Sequence, residues 1–175
     1  FYISTAEKYT KVTNTEDTCR PLIIIGKTGT LGQAFSRICT QRNIHHYLLD
    51  RGEADICNLA MLQNMINKYR PWAVVNAAGY VRVDDAEENT GACHEQNYVG
   101  VQNLSDVCNS CGIKLMSFST DLVFDGSKAV PYVETDAPNP LNVYGKSKRL
   151  AEEHLASNNP QSLMIRTAAF FGPWD

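Results

Sequence analysis

The sequence contains no run of lysine or arginine, and its formal net charge is -3. It therefore carries no electrostatic footprint for nucleic acid or an anionic membrane surface. No apolar stretch approaches the roughly 18 residues needed to cross a bilayer, and the N-terminus lacks the basic-then-apolar layout of a signal peptide. These absences argue against nucleic-acid and membrane partners and lead to the expectation of a soluble, cytoplasmic protein. No metal site is expected. The six cysteines (Cys19, Cys39, Cys57, Cys93, Cys108 and Cys111) are scattered along a chain too long to need disulfide staples, and they read as reduced thiols. Cys108 and Cys111 have C-x-x-C spacing. They close a helical stretch instead of opening one, where a helix N-terminus would lower the thiol pKa, so they are expected to be incidental.

At 175 residues the chain has the size of one ordinary globular domain. Residues 1–20 are polar, Thr-rich and without periodicity, as in a linker or tail from an upstream domain. A chain that begins at Phe1 without Met is expected to be a fragment. The character changes at Pro21. Short apolar runs at residues 22–25, 47–49, 73–75, 115–118 and 163–165 predict buried strands, and the amphipathic stretches 31–39, 59–69, 98–111 and 148–155 predict helices between them. This alternation predicts an α/β fold with a doubly wound parallel sheet over residues 21–175. In such sheets ligands bind beyond the carboxyl ends of the strands.

Residues with chemical potential fall at those ends. The first strand leads into Gly26-Lys27-Thr28-Gly29-Thr30-Leu31-Gly32 and then directly into a helix. Glycines let the backbone turn tightly and approach a pyrophosphate, and the helix N-terminus presents free N–H donors. About 20 residues beyond these glycines the second strand ends at Asp50 and Arg51. The carboxylate would accept hydrogen bonds from an adenine ribose and the guanidinium would bind a 2′-phosphate, so NAD and NADP both remain open. Asn76-Ala77-Ala78-Gly79 follows the third strand with small side chains, which leave room for a cofactor lying across the strand ends.

The fourth strand runs into Ser119-Thr120-Asp121, and Tyr144-Gly145-Lys146-Ser147-Lys148 opens the last helix. A tyrosine and a lysine four residues apart share a helical face. The ammonium is expected to draw the phenol's pKa of about 10 toward neutrality, making it a general acid or base. Thr120 can hold and polarise a substrate oxygen, and Lys148 can also hydrogen-bond a nicotinamide ribose.

With these residues in this order, the chain resembles the extended short-chain dehydrogenase/reductase superfamily, in its dTDP-4-dehydrorhamnose reductase branch. The matching segments are GKTGTLG (26–32), VVNAAGYVRVDDAEEN (74–89), FSTDLVFDG (118–126), ETDAPNPLNVYGKSKRLAEE (134–153) and IRTAAFFGP (165–173). The resemblance implies a Rossmann fold with a substrate-binding C-terminal lobe largely missing. It implies NADP or NAD as cofactor, reduction of a 4-keto sugar nucleotide in dTDP-rhamnose biosynthesis, and a catalytic set of Thr120, Tyr144 and Lys148. Cofactor contacts are implied for Gly26, Gly29, Thr30, Leu31, Gly32, Asp50, Arg51, Asp55, Ile56, Ala77, Ala78, Tyr80 and Asn97. Val83, Asp84 and Asp121 are implied on the substrate side. The family pattern is broken at Leu122 (usually aromatic), at Ala168-Ala169 (where tryptophan is usual) and at Asp85 (usually basic), which leaves the sugar undetermined. A nucleotide-sugar epimerase or dehydratase and a non-catalytic NAD(P)-binding regulatory subunit are the competing readings, and a homodimer is left open.

Overall fold

The computed structural model describes residues 20–172, so the expected linker lies, apart from Arg20, outside the described residues. The strands are β1 (Leu22–Ile25), β2 (His46–Leu49), β3 (Ala73–Asn76), β4 (Lys114–Thr120) and β5 (Leu163–Thr167). All neighbouring pairs are parallel, and the order is β2-β1-β3-β4-β5. The chain reverses direction across the sheet between β1 and β3, and a ligand crevice opens at such a switch point.

β1 and β3 are buried along their whole length, which is why their apolar runs show no alternation. One face of the sheet packs Ile23, Ile25, Val74 and Leu115 against helices α2 (Leu59–Tyr69), α5 (Gly100–Ser110) and α6 (Val143–Asn158). The other face packs Leu22, Ile24, Ala73 and Val75 against Cys39 and Phe35 of α1 (Thr30–Gln41). Asn58 caps α2 by accepting from Met61 N–H, and Arg70 ends that helix in a left-handed turn at φ 46° just before Pro71.

Two elements differ from the sequence expectation. β4 runs on to Thr120, so the Ser-Thr pair forms the strand's last two residues. The helix expected over 98–111 belongs to a longer helical run that starts at α4 (Thr90–His94), passes through a π-turn (Glu95–Val99) and continues as α5; the short helix α3 (Asp85–Glu88) precedes it. A π-turn is wider than an α-turn and shifts the helical phase, so 3.6-residue periodicity stops at its edge. No helix among the described residues is long and apolar enough to cross a membrane.

Candidate active site

A cleft of about 570 Å³ lies beyond β1 and β3, between Gly26-Lys27-Thr28-Gly29 on one side and Ala77-Ala78-Gly79 on the other. Gly26 has φ 116°, and a Cβ there would stand 2.8 Å from the Ala77 carbonyl carbon and oxygen. A side chain on Gly32 would run into the Gly26 carbonyl oxygen. Packing of the protein alone accounts for these two glycines. Gly29 is different: its φ of -90° suits any residue, and the nearest atom to an added Cβ is 3.6 Å away. Nothing in the protein requires glycine there, yet Gly29 lines the cleft and caps α1 with its backbone. The chain holds this space open at a helix N-terminus, where anions bind.

Five charged groups surround the end of β2. Asp50 Oδ1 accepts from Gly52 N–H (2.9 Å) and Glu53 N–H (3.2 Å), and Lys27 Nζ lies 3.6 Å from both Asp50 Oδ2 and Glu53 Oε2. Arg51 Nε donates to Asp55 Oδ2 at 2.9 Å. Hydrogen bonding with Asp55 raises the Arg51 pKa. The Asp55 carboxyl is held below its ordinary value by hydrogen bonds from Arg51 and the Cys57 N–H, which outweigh its partial burial.

Thr120, at the end of β4, and Tyr144 and Lys148, on the first turns of α6, come together beside this cleft. The Thr120 hydroxyl donates to Asp121 Oδ1 (3.1 Å), accepts from Leu122 N–H (3.2 Å) and lies near enough to the Tyr144 phenol to influence its ionisation. Lys148 is buried, donates to the Phe118 carbonyl at 3.1 Å, and has its Nζ 5.8 Å from the Tyr144 ring centroid. Burial lowers the Lys148 pKa to about 8. The expected depression of the tyrosine pKa does not hold. Burial, reinforced by Cys93 and Asp121, raises it, and the Thr120 hydroxyl offsets this only in part. The reason is geometric, since the ammonium is turned toward a backbone carbonyl instead of the phenol oxygen.

A buried polar assembly stands behind this pair. Ser147 donates to the Tyr144 carbonyl (2.6 Å) and accepts from Asn97 Nδ2 (3.2 Å), and Cys93 Sγ lies 3.4 Å from the same hydroxyl. Asn97, which has no solvent exposure, also accepts from Tyr80 N–H (2.9 Å) and donates to the Tyr80 carbonyl (3.1 Å). It thereby joins the loop after β3 to α6. Two buried hydroxyls, Ser105 and Ser119, have no hydrogen-bond partner among the described residues, and Ser119 adjoins Thr120 at the strand end.

Of the residues expected to contact cofactor, Gly26, Gly29, Asp50, Arg51, Asp55, Ile56, Ala77 and Ala78 line the cleft. Thr30, Leu31, Gly32, Tyr80 and Asn97 are not part of its lining: the first three lie inside α1, and Asn97 and Tyr80 bond each other. Asp121 lines a second cavity of about 520 Å³ together with Leu122, Phe124, Tyr132, Arg166 and Ala168, while Val83 and Asp84 line neither. Sequence reasoning missed Lys27, Cys93, Ser147 and the aromatic floor of the second cavity. In that floor Phe124 stacks on Tyr132 with centroids 4.2 Å apart, and the Arg166 guanidinium lies 4.9 Å over Phe124. Arg166 is held in place by Glu152, with contacts of 2.9 and 2.7 Å. The five described cysteines are free, and burial pushes the Cys108 thiol up to about 12, away from redox reactivity. Among the described residues no group of three or more His, Cys, Asp or Glu could hold a metal ion.

Residues 20–174 match the family described as the RmlD substrate binding domain. The dTDP-4-dehydrorhamnose reductase of Aggregatibacter actinomycetemcomitans is 37% identical over 154 residues, which cover 87% of this chain and 52% of that protein. A crystal structure of a dTDP-4-dehydrorhamnose reductase from Clostridium acetobutylicum superposes with a TM-score of 0.84 at 31% identity, over 87% of this chain and 55% of that one. The Bacillus anthracis enzyme of the same name, solved in complex with NADP, gives a TM-score of 0.83 at 29% identity over 87% of this chain and 55% of its own. The chain spans about half the length of the curated relatives it matches.

Proposed function

Because the chain belongs to the RmlD substrate-binding-domain family, we propose that it carries the dinucleotide site and the proton-donating residues of an NAD(P)H-dependent reductase. The reaction is reduction of the 4-keto group of a sugar nucleotide, as in dTDP-4-dehydrorhamnose reductases. The observation that carries this reading is the convergence of Thr120, Tyr144 and Lys148 beside a cleft whose Gly29 is required by no protein contact.

The cleft fits a dinucleotide. Its glycine backbone and the N-terminus of α1 suit a pyrophosphate, and Ala77 and Ala78 leave a smooth wall beyond β3. A bound nicotinamide dinucleotide supplies the hydride. Thr120, already positioned by Leu122 N–H, exchanges its bond to Asp121 for one to the ketone oxygen and orients it. Tyr144 gives its proton to the oxygen as alkoxide character develops, so the ketone gains a hydride at carbon and a proton at oxygen. The phenol is protonated at neutral pH, the form that gives a proton to the ketone oxygen. Lys148, fixed to the Phe118 carbonyl, keeps α6 in register with the end of β4 and has donors left that would hold a nicotinamide ribose.

The dinucleotide is NADP or NAD. Both cations at the end of β2 are already matched by carboxylates, so a 2′-phosphate has to displace Asp55 from Arg51 or share Lys27 with Asp50 and Glu53. This pairing favours NAD. Titration with NADH and with NADPH, followed by nicotinamide fluorescence, tests the site. Binding of either, with oxidation of the dinucleotide on adding a 4-keto sugar nucleotide, is the expected result. Binding without turnover would leave the chain as a regulatory dinucleotide-binding module, and no binding of either would remove the reading altogether.

A further inference from the structure

Tyr144 is the second residue of α6, in a turn whose N–H groups have no partners within the helix. Asn142 caps one of them, accepting from Gly145 N–H at 2.6 Å. Another is met from a distant part of the chain: Glu87 Oε1 accepts from Val143 N–H at 2.7 Å across 56 residues. Glu87 lies on α3, whose buried Ala86 fixes the helix, and α3 directly follows Val83 and Asp84. A carboxylate accepting from a backbone N–H at a helix N-terminus makes a charge-assisted bond and also faces the positive end of the helix dipole.

Gly145, next to the tyrosine, lets this turn lie close against Leu122, since an added Cβ would run into the Leu122 carbonyl oxygen and lie 3.0 Å from Asn142 Oδ1. The phenol's position therefore depends on where the turn sits, and the turn is tied to three places. These are the capping Asn142, the Ser147–Asn97 assembly within the fold, and Glu87 from the 81–89 segment. Glu87 reaches it from a segment, 81–89, most of whose residues face solvent.

We propose that Glu87 is a positioning residue for Tyr144, its carboxylate holding the first turn of α6 so that the phenol keeps its place against Thr120. The proposal rests on the reading of Tyr144 as proton donor and assigns Glu87 no contact with substrate or cofactor.

Val143 provides a clean test. It is the first helical residue, where proline is favoured and its missing N–H disrupts no helical bond, and Asn142 before it is already extended (φ -108°, ψ 164°), as a residue preceding proline must be. Val143→Pro thus removes the donor, its ring Cδ taking the place of the amide hydrogen and displacing the Glu87 carboxylate, while the helix keeps its own hydrogen bonds, and Glu87→Gln keeps an acceptor without the charge. The readout is ultraviolet titration of tyrosine in the full chain, with the Tyr144→Phe curve subtracted to isolate one phenol. Glu87→Ala and Val143→Pro are expected to move the Tyr144 transition down toward the ordinary value of about 10 as the loosened turn admits water. Combining them should add nothing further, and Glu87→Gln should stay near the wild-type curve. In steady-state reduction, kcat should fall roughly tenfold in the first two variants with KM little changed. A Tyr144 transition unmoved in both Glu87→Ala and Val143→Pro overturns the proposal, as does an equal shift in Glu87→Gln and Glu87→Ala. These titrations do not depend on turnover, so they fail separately from the proposed reaction.

Discussion

The two walls of the site are built on different principles. The wall beyond β1 and β3 consists of backbone and small side chains: Gly26, Gly29, Ala77 and Ala78 follow strands that are entirely buried. The wall formed by the end of β4 and the start of α6 consists of polar side chains held by hydrogen bonds, and its neighbour β5 is only partly covered, with Leu163 51% exposed. On the first wall, folding and the proposed binding both call for Gly26, while Gly29 is required by no contact within the protein and is left to binding. On the second wall they conflict. A buried lysine weakens the fold, and in the proposed reaction it and the half-buried phenol are kept for chemistry.

The largest effect that can sharpen this contrast belongs to the second wall. Replacing Tyr144 by Phe should lower turnover by roughly 10² to 10⁴-fold, as expected for loss of a general acid, while dinucleotide binding measured by fluorescence stays the same. Equal losses in binding and turnover would merge the two walls into one unit.

Next come two glycines on the first wall. Gly26→Ala places a Cβ at φ 116° and 2.8 Å from the Ala77 carbonyl, which should destabilise the fold by about 3 kcal/mol in urea unfolding. Gly29→Asp should leave stability unchanged or higher, because aspartate is a better N-cap than most residues, yet reduce dinucleotide binding at least about tenfold by setting a carboxylate where the pyrophosphate belongs. If Gly29→Asp binds normally, the cleft is not the cofactor site.

Lys148 offers a test through pH. Its folded pKa of about 8 lies below the unfolded value of 10.5. The unfolded chain therefore binds more protons between these values, and stability rises as pH climbs from about 8 to 10.5. Below pH 8 the full penalty applies. Lys148→Met should accordingly stabilise the fold by about 2 kcal/mol at pH 7, after allowing for the lost bond to Phe118, and the gain should disappear near pH 11. Denaturant unfolding at several pH values would measure it, and a gain independent of pH would contradict the assignment.

The smallest effect concerns selectivity. Asp55→Asn releases Arg51 from its 2.9 Å ion pair and should move the NADPH-to-NADH affinity ratio toward NADPH by roughly threefold, in keeping with the modest strength of exposed pairs. A shift toward NADH would reverse the roles given to these two residues.

Much of the first wall was legible in the sequence because it is local. Strand, glycine turn and helix follow one another within residues 22–41, and the small residues after β3 signal the same need for space. Thr120, Tyr144 and Lys148 could also be read, since each sits at a strand end or helix start. What escaped reading depends on distance in the chain. Ser147, Cys93 and Asn97 meet across about 50 residues, and no periodicity records such pairings. The phenol's raised pKa was misjudged because Y-x-x-x-K spacing gives a shared helical face but not the direction of the ammonium, which the Phe118 carbonyl decides. The helix ahead of residue 98 was lost to the π-turn. Cys93, Asn97 and Val101 are buried before, within and after it, but the wide turn shifts the helical phase between them.

That π-turn also marks the one place in this helical run where the length of the chain can change cheaply. It holds one residue more than a regular turn, so a deletion between 95 and 99 that spares Asn97 would let the helix relax to α geometry with the segments on either side close to their present phase. Cys93 would stay near Ser147, and α3 would keep its carboxylate on the helix it now meets. A deletion within the regular turns of α5 would instead rotate one side against the other by about 100°.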